Sequence, residues 1–349
     1  MEKVELEKLF CSPDISIKAA MEVINRTRGQ MIVLIDENDR LLGVLTDGDI
    51  RRALLEDAPL STPVSKFMTR KPKQLRPDQR HEAPRVMKEF SIKQVLIVDD
   101  SGKVQDIILW GDVVKSDVKG KLENRVFIMA GGKGSRLDPF TKILPKALIP
   151  IGDKPIIELV MDKFRKFGFY QFILSLNYKA AMVRHYFAET EFISDIRFIQ
   201  EDKPLGTAGS LCLAKAYIKA PFILTNCDIF IDIDYGDVLK FHNDRGFHVT
   251  VVGVVKNFTI PYGVIKMNGG CLVSMMEKPE YDFIVNAGVY VIEQTILNIL
   301  QENCRLDMPE LLESCRNEGF TVGVYPFSGD WIDVGQLEEY KKALSHINI

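Results

Sequence analysis

The sequence predicts an α/β protein in two parts, a repeated N-terminal region followed by a larger part built on a mostly parallel, mixed sheet. Three observations predict this arrangement. The first third contains an internal repeat, strand-like apolar runs alternate with helical patterns from residue 125 onward, and a glycine-rich turn follows the first of these runs. We predict domains at residues 1–120 and 121–349.

Bulk composition limits the function classes. The chain has 349 residues, 46% of them hydrophobic and 27% charged, which suits a soluble protein of two or three domains. The net charge of −3, without a dense Lys/Arg block, indicates no surface for nucleic acid or membrane. Six scattered cysteines, no signal-peptide core and no long apolar run predict a cytoplasmic protein without disulfides or a zinc cluster.

The repeat appears when each residue is set beside the one 63 positions later. Leu34-Ile35-Asp36 then aligns with Ile97-Val98-Asp99, and Gly48-Asp49-Ile50 with Gly111-Asp112-Val113. Each copy has a helical apolar pattern, two short strands around a polar turn, and a helix that begins near the shared aspartate. Neither copy could bury its apolar face alone, so the two copies should pack together.

This repeat, which includes the sequence GVLTDGD at residues 43–49, resembles a tandem pair of CBS domains. The resemblance implies an adenine-nucleotide site in which Thr46 and Asp49 bond the ribose. The second copy keeps Asp112 but has Leu109 in place of the threonine, so the resemblance leaves at most one complete site. The alternative is a dimerisation module whose aspartates only cap helices.

The second part should form the mostly parallel sheet, with helices on both faces. Its predicted strands are Val126–Met129, Phe172–Leu176, Ile196–Ile199, Phe222–Thr225 and Val249–Val255. Ligands of such sheets bind beyond the carboxyl ends of the strands. Gly131, Gln200, Glu201 and Asp228 all come just after predicted strands, so we expect them to converge.

The glycine-rich turn has the chemistry of a triphosphate site. Residues 129–146 read MAGGKGSRLDPFTKILPK, and three glycines in this stretch leave backbone N–H groups free to contact phosphate oxygens. These glycines are Gly131, Gly132 and Gly134. Arg136 and Lys146 add positive charge. The spacing matches neither the P-loop nor the dinucleotide fingerprint, so a different phosphate-binding turn is predicted.

This turn, together with IPIGDKPIIE at residues 149–158, resembles the signature of sugar-1-phosphate nucleotidyltransferases, and later blocks extend the resemblance over residues 124–345. The family implies a Rossmann-like sheet related to that of GT-A glycosyltransferases. It also implies transfer of a nucleotidyl group from a nucleoside triphosphate to a sugar 1-phosphate. Arg136, Lys146 and Asp228 would be the catalytic residues, with Arg136 facing the leaving pyrophosphate and Lys146 the α-phosphate.

The resemblance also implies a magnesium ion held by Asp228 and by Asp333, which lies in the block GDWIDVG. Mg²⁺ prefers hard oxygen ligands and is commonly held by one or two carboxylates plus substrate phosphates. The family usually has Gly-Asp where this chain has Cys227-Asp228, a departure that leaves the carboxylate in place.

Two other classes compete with this interpretation. Asp232-Ile233-Asp234 resembles the metal motif of GT-A glycosyltransferases, although Arg136 and Lys146 favour an enzyme that handles a triphosphate. We therefore interpret Asp232 and Asp234 as a solvated turn. The second alternative is a nucleotide sensor whose catalytic domain is inactive. The presence of Arg136, Lys146, Asp228 and Asp333 argues against it.

The segment QEDKPLGTAG at residues 200–209 resembles the family's base-recognition block, which places Glu201, Gly206 and Thr207 at the nucleotide. Uridylyl and thymidylyl members carry Gln at the position of Glu201. A carboxylate can instead accept from the two adjacent donors of guanine, so GTP is the predicted substrate. Uridylyl, thymidylyl or cytidylyl transfer is the alternative, with Glu201 merely an acidic neighbour of Asp202.

The sugar phosphate should be bound by residues that match later family blocks. They are Gly263, Glu277, Lys278 and Asn286. A CBS pair ahead of a short nucleotidyltransferase also resembles proteins of bacterial surface-sugar pathways, including that for legionaminic acid, in which glucosamine 1-phosphate is activated with GTP. Mannose or heptose 1-phosphate are alternatives, and a homo-oligomer is expected.

Overall fold

The structure, a computed structural model, describes most of the chain, and the described residues fold into two compact units. The described residues are 6–27, 31–90, 92–110, 121–191 and 193–346. The first unit combines residues 1–117 with 255–284 and 326–329, and the second contains 118–254, 285–325 and 330–349.

The predicted repeat is visible in the first unit as two three-stranded sheets of the same topology. In each sheet the first strand pairs in parallel with the second, which pairs antiparallel with the third. The first copy contains β1 (Phe10–Cys11), α1 (Ile17–Thr27), β2 (Met31–Ile35), β3 (Leu41–Thr46) and α2 (Asp47–Leu55). The second contains β4 (Gln74–Leu75), α3 (Ala83–Phe90), β5 (Gln94–Val98) and β6 (Val104–Leu109).

The two copies pack together around equivalent positions. Arg40 forms an antiparallel bridge with Lys103, its counterpart in the repeat, and the Leu41 N–H donates to the Gly102 carbonyl at 2.9 Å. Beneath this bridge, apolar side chains from both copies share one buried cluster. They include Leu9, Val33 and Val44 from the first copy and Leu96, Val98 and Ile107 from the second. Each copy therefore covers apolar surface that the other would expose to water.

The polar turns of the two copies are also equivalent. Asp36 accepts hydrogen bonds from the backbone N–H groups of Asn38 and Arg40, and Asp99 accepts from those of Ser101 and Lys103. The Ser101 hydroxyl also donates to Asp99 at 2.6 Å, and these bonds lower the pKa of Asp99 to about 2.

Residues far along the chain complete the first unit. Val255 packs against the buried cluster between α1 and α2, and the Lys18 ammonium forms an ion pair with Glu280. The Arg51 Nε donates to the Pro326 carbonyl at 3.2 Å. The domain boundary near residue 121 stays a prediction, since residues 111–120 are outside the described part of the chain.

The second unit is built on a seven-stranded sheet. Its strands, in spatial order, are β11 (Ile196–Gln200), β10 (Phe172–Leu176), β7 (Val126–Met129), β12 (Phe222–Asn226), β17 (Glu280–Ile292), β14 (Val249–Thr259) and β18 (Val322–Phe327). The five strands predicted from sequence are confirmed within a few residues. β11, β10, β7 and β12 are parallel and β17 is antiparallel to β12, so the predicted mixed sheet is confirmed.

Further helices and short strand pairs complete the two units, and of these β15 and β16 belong to the first unit. The helices are α4 (Phe140–Ile143), α5 (Ile156–Lys166), α6 (Ala180–Ala188), α7 (Tyr235–Arg245), α8 (Met308–Asn317) and α9 (Leu337–His346). The short strands are β8 (Pro150–Ile151), β9 (Lys154–Pro155), β13 (Ile229–Ile231), β15 (Val264–Asn268), β16 (Cys271–Met276) and β19 (Trp331–Asp333). No described helix is both long and apolar enough to cross a bilayer.

Burial explains why these segments take these forms. Every residue of β10 is buried, which is typical of a central parallel strand covered on both faces. The helix α5 buries one apolar stripe, and its Phe164 ring stacks on Tyr235 of α7 with ring centroids 3.9 Å apart. This apolar packing stabilises the helices that accompany the sheet, and polar residues lie at the carboxyl ends of its strands.

Candidate active site

The carboxyl ends of β7, β11 and β12 lead into one cavity of about 500 Å³. Of the four residues expected to converge, Gly131, Glu201 and Asp228 line it, whereas Gln200, the exposed last residue of β11, does not. The lining also includes Met129, Gly132, Gly134, Ser135, Arg136, Lys146, Pro204, Leu205, Gly206, Thr207, Asn226, Cys227, Asp333 and Gly335. The catalytic, nucleotide and metal residues predicted for this part of the chain therefore surround one space.

The three glycines of the phosphate-binding turn have different reasons to be glycine. Gly134 has φ of +65°, and a Cβ there would lie 2.9 Å from the Cβ of Lys146. A Cβ on Gly131 would lie 2.9 Å from the Glu201 Oε1. A Cβ on Gly132 would meet nothing within 4 Å, so its backbone borders open space.

Hydrogen bonds stabilise the segment that follows the glycines, residues 138–143. The Thr141 hydroxyl bonds the Asp138 carboxylate at 2.6 Å, and the Tyr178 hydroxyl donates to the Thr141 carbonyl at 3.1 Å. The Lys179 ammonium donates to the carbonyls of Lys142 and Ile143 at 2.6 and 2.7 Å. These bonds organise the turn before any ligand arrives, which lowers the ordering cost of binding.

Two cations and two carboxylates meet in the cavity. The Lys146 ammonium forms an ion pair with Asp228, whose side chain is buried. Burial lowers the pKa of Lys146, the neighbouring Cys227 and Asp333 oppose that shift, and the Arg136 guanidinium lowers the pKa further. Arg136 and Lys146 are therefore close enough to sense each other's charge, an arrangement that favours a polyanionic ligand.

Asp228 and Asp333 come from distant parts of the sequence and are joined by a short antiparallel pair. β13 pairs with β19 so that Ile229 faces Asp333, and the Val334 N–H donates to the Asp228 carbonyl at 3.0 Å. A Cβ on Gly335 would lie 3.0 Å from the Asp333 Oδ1. The strand pair thus places both carboxylates at the same cavity.

This donor set fits magnesium. No group of three or more His, Cys, Asp or Glu residues that could hold a metal occurs among the described residues. Two carboxylates would leave the remaining positions to phosphate oxygens and water, which is the coordination that Mg²⁺ commonly adopts beside nucleotides. Asp228 and Asp333 are therefore chemically suitable ligands, and the metal stays a prediction.

Glu201 is buried and its orientation is defined. The Ser175 hydroxyl donates to its Oε1 at 2.6 Å, and the Leu205 N–H donates to its Oε2 at 3.1 Å. The Asn177 amide donates to the Glu201 backbone carbonyl at 2.8 Å. The alternative that Glu201 is merely an exposed acidic neighbour of Asp202 is therefore wrong, because the residue is buried at the cavity wall.

Gly206 and Thr207 also line the cavity, but their contacts serve the fold as well. Gly206 has φ of +81°, and a Cβ there would lie 2.6 Å from the Asp307 Oδ1. The Thr207 N–H donates to the same carboxylate oxygen at 2.9 Å, and the Met308 N–H donates to the Thr207 hydroxyl at 2.8 Å. The second bond satisfies the Met308 N–H at the start of α8. The contacts of Gly206 and Thr207 with a nucleotide stay a prediction.

The four predicted sugar-phosphate residues are divided between the units. Gly263, Glu277 and Lys278 belong to the first unit, where a Cβ on Gly263 would lie 3.0 Å from the Glu277 Oε2. Asn286 belongs to the second, and its amide donates to the Tyr290 hydroxyl at 2.6 Å. None of the four is among the residues lining the described cavity, and their sugar contacts stay predictions.

Thr46 and Asp49 bond each other in the first copy of the repeat. The Thr46 hydroxyl donates to the Asp49 carboxylate at 2.7 Å, and the Thr46 N–H donates to the same oxygen at 2.8 Å. The Asp49 N–H lies 3.3 Å from the Thr46 hydroxyl, which completes a capping box on α2. Asp49 thus caps a helix, as the alternative interpretation of this residue expects, while adenine-nucleotide binding stays a prediction. Asp112 is outside the described residues.

The competing Asp232–Asp234 motif has ordinary local roles. The Asp234 carboxylate accepts from the Gly236 N–H at 2.9 Å and caps α7, and neither aspartate lines the described cavity. Sequence reasoning did not assign roles to Ser135, Asn226 and Gly335, which do line it. Each lies within two positions of a predicted site residue, and this proximity in sequence is the signal that could have found them.

The family model "Nucleotidyl transferase" matches residues 125–348, and the model for the CBS domain matches residues 5–56. The chain belongs to the nucleotidyl transferase family. In this nucleotidyl transferase the matched region begins one residue before β7 and contains the entire described cavity.

Curated relatives of this nucleotidyl transferase include mannose-1-phosphate guanylyltransferases. The catalytic subunit beta from Danio rerio is 30% identical over 226 residues, and the enzyme from Schizosaccharomyces pombe is 28% identical over 228 residues. Each alignment covers 62% of this chain and 62% of the relative. The chain thus spans about three fifths of the length of these relatives.

Among solved structures, HddC from Yersinia pseudotuberculosis matches with a TM-score of 0.52 and 27% identity, covering 64% of this chain and 98% of that one. HddC complexed with GMP-PN matches with a TM-score of 0.52, 26% identity and the same coverage of both chains. A structure of similar fold has therefore been solved in complex with GMP-PN.

Gly134→Ala should destabilise the protein by about 1–3 kcal/mol, because the new Cβ meets Lys146 and the backbone has positive φ. Gly132→Ala is the matched control, since open space surrounds that position. Urea unfolding followed by tryptophan fluorescence measures both. Equal stability of the two variants would contradict this account of the turn.

Proposed function

We propose that this protein transfers a nucleotidyl group from a nucleoside triphosphate to a sugar 1-phosphate, with release of pyrophosphate. One observation carries the proposal: the glycine turn, Arg136, Lys146, Asp228 and Asp333 surround a single cavity. That combination suits a triphosphate, which needs bare N–H donors, cationic side chains and carboxylates able to hold a divalent ion.

In the proposed reaction, an oxygen of the sugar phosphate attacks the α-phosphorus in line. A new phosphorus–oxygen bond forms, the bond from the α-phosphorus to the bridging oxygen breaks, and its electron pair leaves with pyrophosphate. Such transfers are catalysed mainly by positioning and by charge stabilisation. Arg136 would stabilise the leaving pyrophosphate, Lys146 the α-phosphate and Lys278 the attacking phosphate.

Asp228 and Asp333 would hold magnesium, which when bound neutralises charge on the nucleotide phosphates. The half-buried Lys146 ammonium forms an ion pair with the buried Asp228 carboxylate. In the ligand-bound protein we expect the Lys146 ammonium to turn toward phosphate oxygens, since an ammonium binds phosphate readily as a point charge.

We infer GTP as the nucleotide. The Glu201 carboxylate is buried, and its oxygens are held by Ser175 and the Leu205 N–H, with lone pairs left for further donors. The N1–H and amine of guanine are two such donors. The guanylyltransferase names of the curated relatives and the GMP-PN complex of HddC support the same choice.

For the sugar we propose glucosamine 1-phosphate, with mannose or heptose 1-phosphate as alternatives, and contacts from Gly263, Glu277, Lys278 and Asn286. The product would be a nucleotide sugar for surface glycans. The six free cysteines support a reducing compartment, and we place the protein in the cytoplasm. An adenine nucleotide at Thr46 and Asp49 would regulate it.

A pyrophosphate-release screen of GTP, UTP, dTTP and CTP against glucosamine, mannose and heptose 1-phosphates tests the proposal. GTP should exceed the other nucleotides by at least about 100-fold in kcat/KM, because a mismatched base leaves Glu201 unpaired. Chelation of Mg²⁺ should abolish release. No release with any pair would instead support the nucleotide-sensor alternative.

Arg136→Ala should lower kcat/KM by about 10²–10³-fold, the usual effect of removing one transition-state charge donor. Lys133→Ala is the matched control, since Lys133 is a cation of the same turn that does not line the cavity. The pyrophosphate assay with the preferred pair measures both variants. A near-normal rate for Arg136→Ala would remove this residue from the mechanism.

Glu201→Gln should lower kcat/KM for GTP by roughly 100-fold, since the amide presents a donor where guanine needs an acceptor. The rate with UTP should fall less, because a pyrimidine edge can use both a donor and an acceptor. Asp202→Asn, an exposed neighbour, serves as control. Equal losses for GTP and UTP would indicate a structural role only.

A further inference from the structure

Residues 204–207 all line the described cavity, and we call them the wall segment. The residues that lead into α8 lie against this segment. The Leu306 N–H donates to the Leu205 carbonyl at 3.0 Å, and the Ala208 and Gly209 N–H groups donate to the Leu306 carbonyl at 2.9 and 3.0 Å. Leu306 therefore bonds the backbone both within the wall segment and just after it.

The side chain of Asp307, which precedes α8, contacts the wall segment as well. The Thr207 N–H donates to the Asp307 Oδ1 at 2.9 Å, and the Thr207 hydroxyl lies 3.4 Å from the same oxygen. A Cβ on Gly206 would lie 2.6 Å from that oxygen, so the carboxylate packs directly on the backbone of both wall residues. Asp307 is not itself among the residues that line the described cavity. Its influence on a bound ligand would therefore pass through the wall segment.

The bond from Thr207 to Asp307 restrains a peptide that a glycine precedes. Gly206 has φ of +81°, and glycine populates this conformation about as readily as those with negative φ. Without the Asp307 carboxylate the Thr207 N–H would lose its acceptor, and the backbone at Gly206 would be less restrained. The neighbouring Leu205 N–H donates to the Glu201 Oε2 at 3.1 Å. Movement of the wall segment would therefore also disturb the carboxylate that we propose to bind the base.

The support for the wall segment comes from an element of the core. The helix α8 begins at Met308, and its residues Met308, Leu311 and Cys315 are buried in the same apolar cluster as Phe127 of β7. Asp307 is thus attached to a helix that is packed in the core of the second unit. Such a base suits a residue that has to hold a neighbouring segment in a defined geometry.

We propose that Asp307 is a positioning residue for the nucleotide, and that its carboxylate holds the wall segment in the geometry that receives the base. This inference rests on the proposed nucleotidyl transfer and adds a residue outside the cavity to the determinants of nucleotide binding. The base takes no part in the bonds that form and break, so its contacts are the same in the substrate complex and in the transition state. Loss of the support should therefore weaken nucleotide binding and leave the chemical step intact.

Steady-state kinetics of the full-length protein, followed by pyrophosphate release, test this role. Asp307→Ala should raise the KM for the preferred nucleotide, expected to be GTP, by about 10-fold, because a hydrogen bond to a charged acceptor is lost. The kcat and the KM for the sugar phosphate should stay within about twofold, because only uniform binding of the base is removed. Asp307→Asn should keep a nucleotide KM near that of the unmodified protein, because its amide oxygen still accepts from the Thr207 N–H.

Glu310→Ala is the matched control. The Glu310 carboxylate accepts from the Asp307 N–H at 2.9 Å, so it stabilises the same helix start from within α8. Both alanine variants should lower the urea midpoint of unfolding, whereas only Asp307→Ala should raise the nucleotide KM. A partly unfolded population lowers the apparent kcat and leaves the KM of the folded molecules unchanged, so lost stability alone does not produce the expected result.

Two outcomes would overturn the positioning role while the proposed function stands. One is an unchanged nucleotide KM in Asp307→Ala, and the other is an equal rise of that KM in Glu310→Ala. An unmodified protein that releases no pyrophosphate with any substrate pair would overturn the proposed function, and this inference with it.

Discussion

The buried ion pair between Lys146 and Asp228 is the contact on which the rest of the site depends. A carboxylate buried at the end of β12 is costly unless a cation and hydrogen bonds compensate it. Lys146 supplies the cation from a segment 82 residues away, and the glycine turn allows its approach, because a side chain at Gly134 would occupy the same space. The chemistry of the cavity and the backbone conformation of the turn are therefore coupled.

Two kinds of phosphate contact come from different parts of this site, namely backbone N–H groups from the turn and full charges from side chains. The backbone of the turn can address phosphate oxygens through N–H groups, which carry only partial charge. Full charges come from side chains that other elements position, Lys146 from its own short helix and Asp333 from β19. The parallel strands bring these elements to one edge, which is why the sheet order matters more to the site than any one motif.

The first unit is built from two copies of a repeat. Its two copies share a buried cluster and meet through equivalent residues, as Arg40 and Lys103 do. Residues 255–284 and 326–329 then add to this unit, so both copies of the repeat and these distant segments share one packed body. In the first copy the pair of Thr46 and Asp49 stabilises the start of α2, so any nucleotide bound there would compete with a capping box.

The sequence by itself determined five of the seven strands of the sheet, the repeat, and the charged residues that line the cavity, because these follow from local periodicity, turn chemistry and motifs. It also placed Glu201 and Asp228 at strand ends, where a parallel sheet brings polar groups together. Only the tertiary structure decided that Asp228 pairs with Lys146, that Thr207 caps α8, and that residues 255–284 join the first unit. These contacts join residues dozens to hundreds of positions apart, and packing and charge compensation in three dimensions select such partners, whereas local patterns do not encode them.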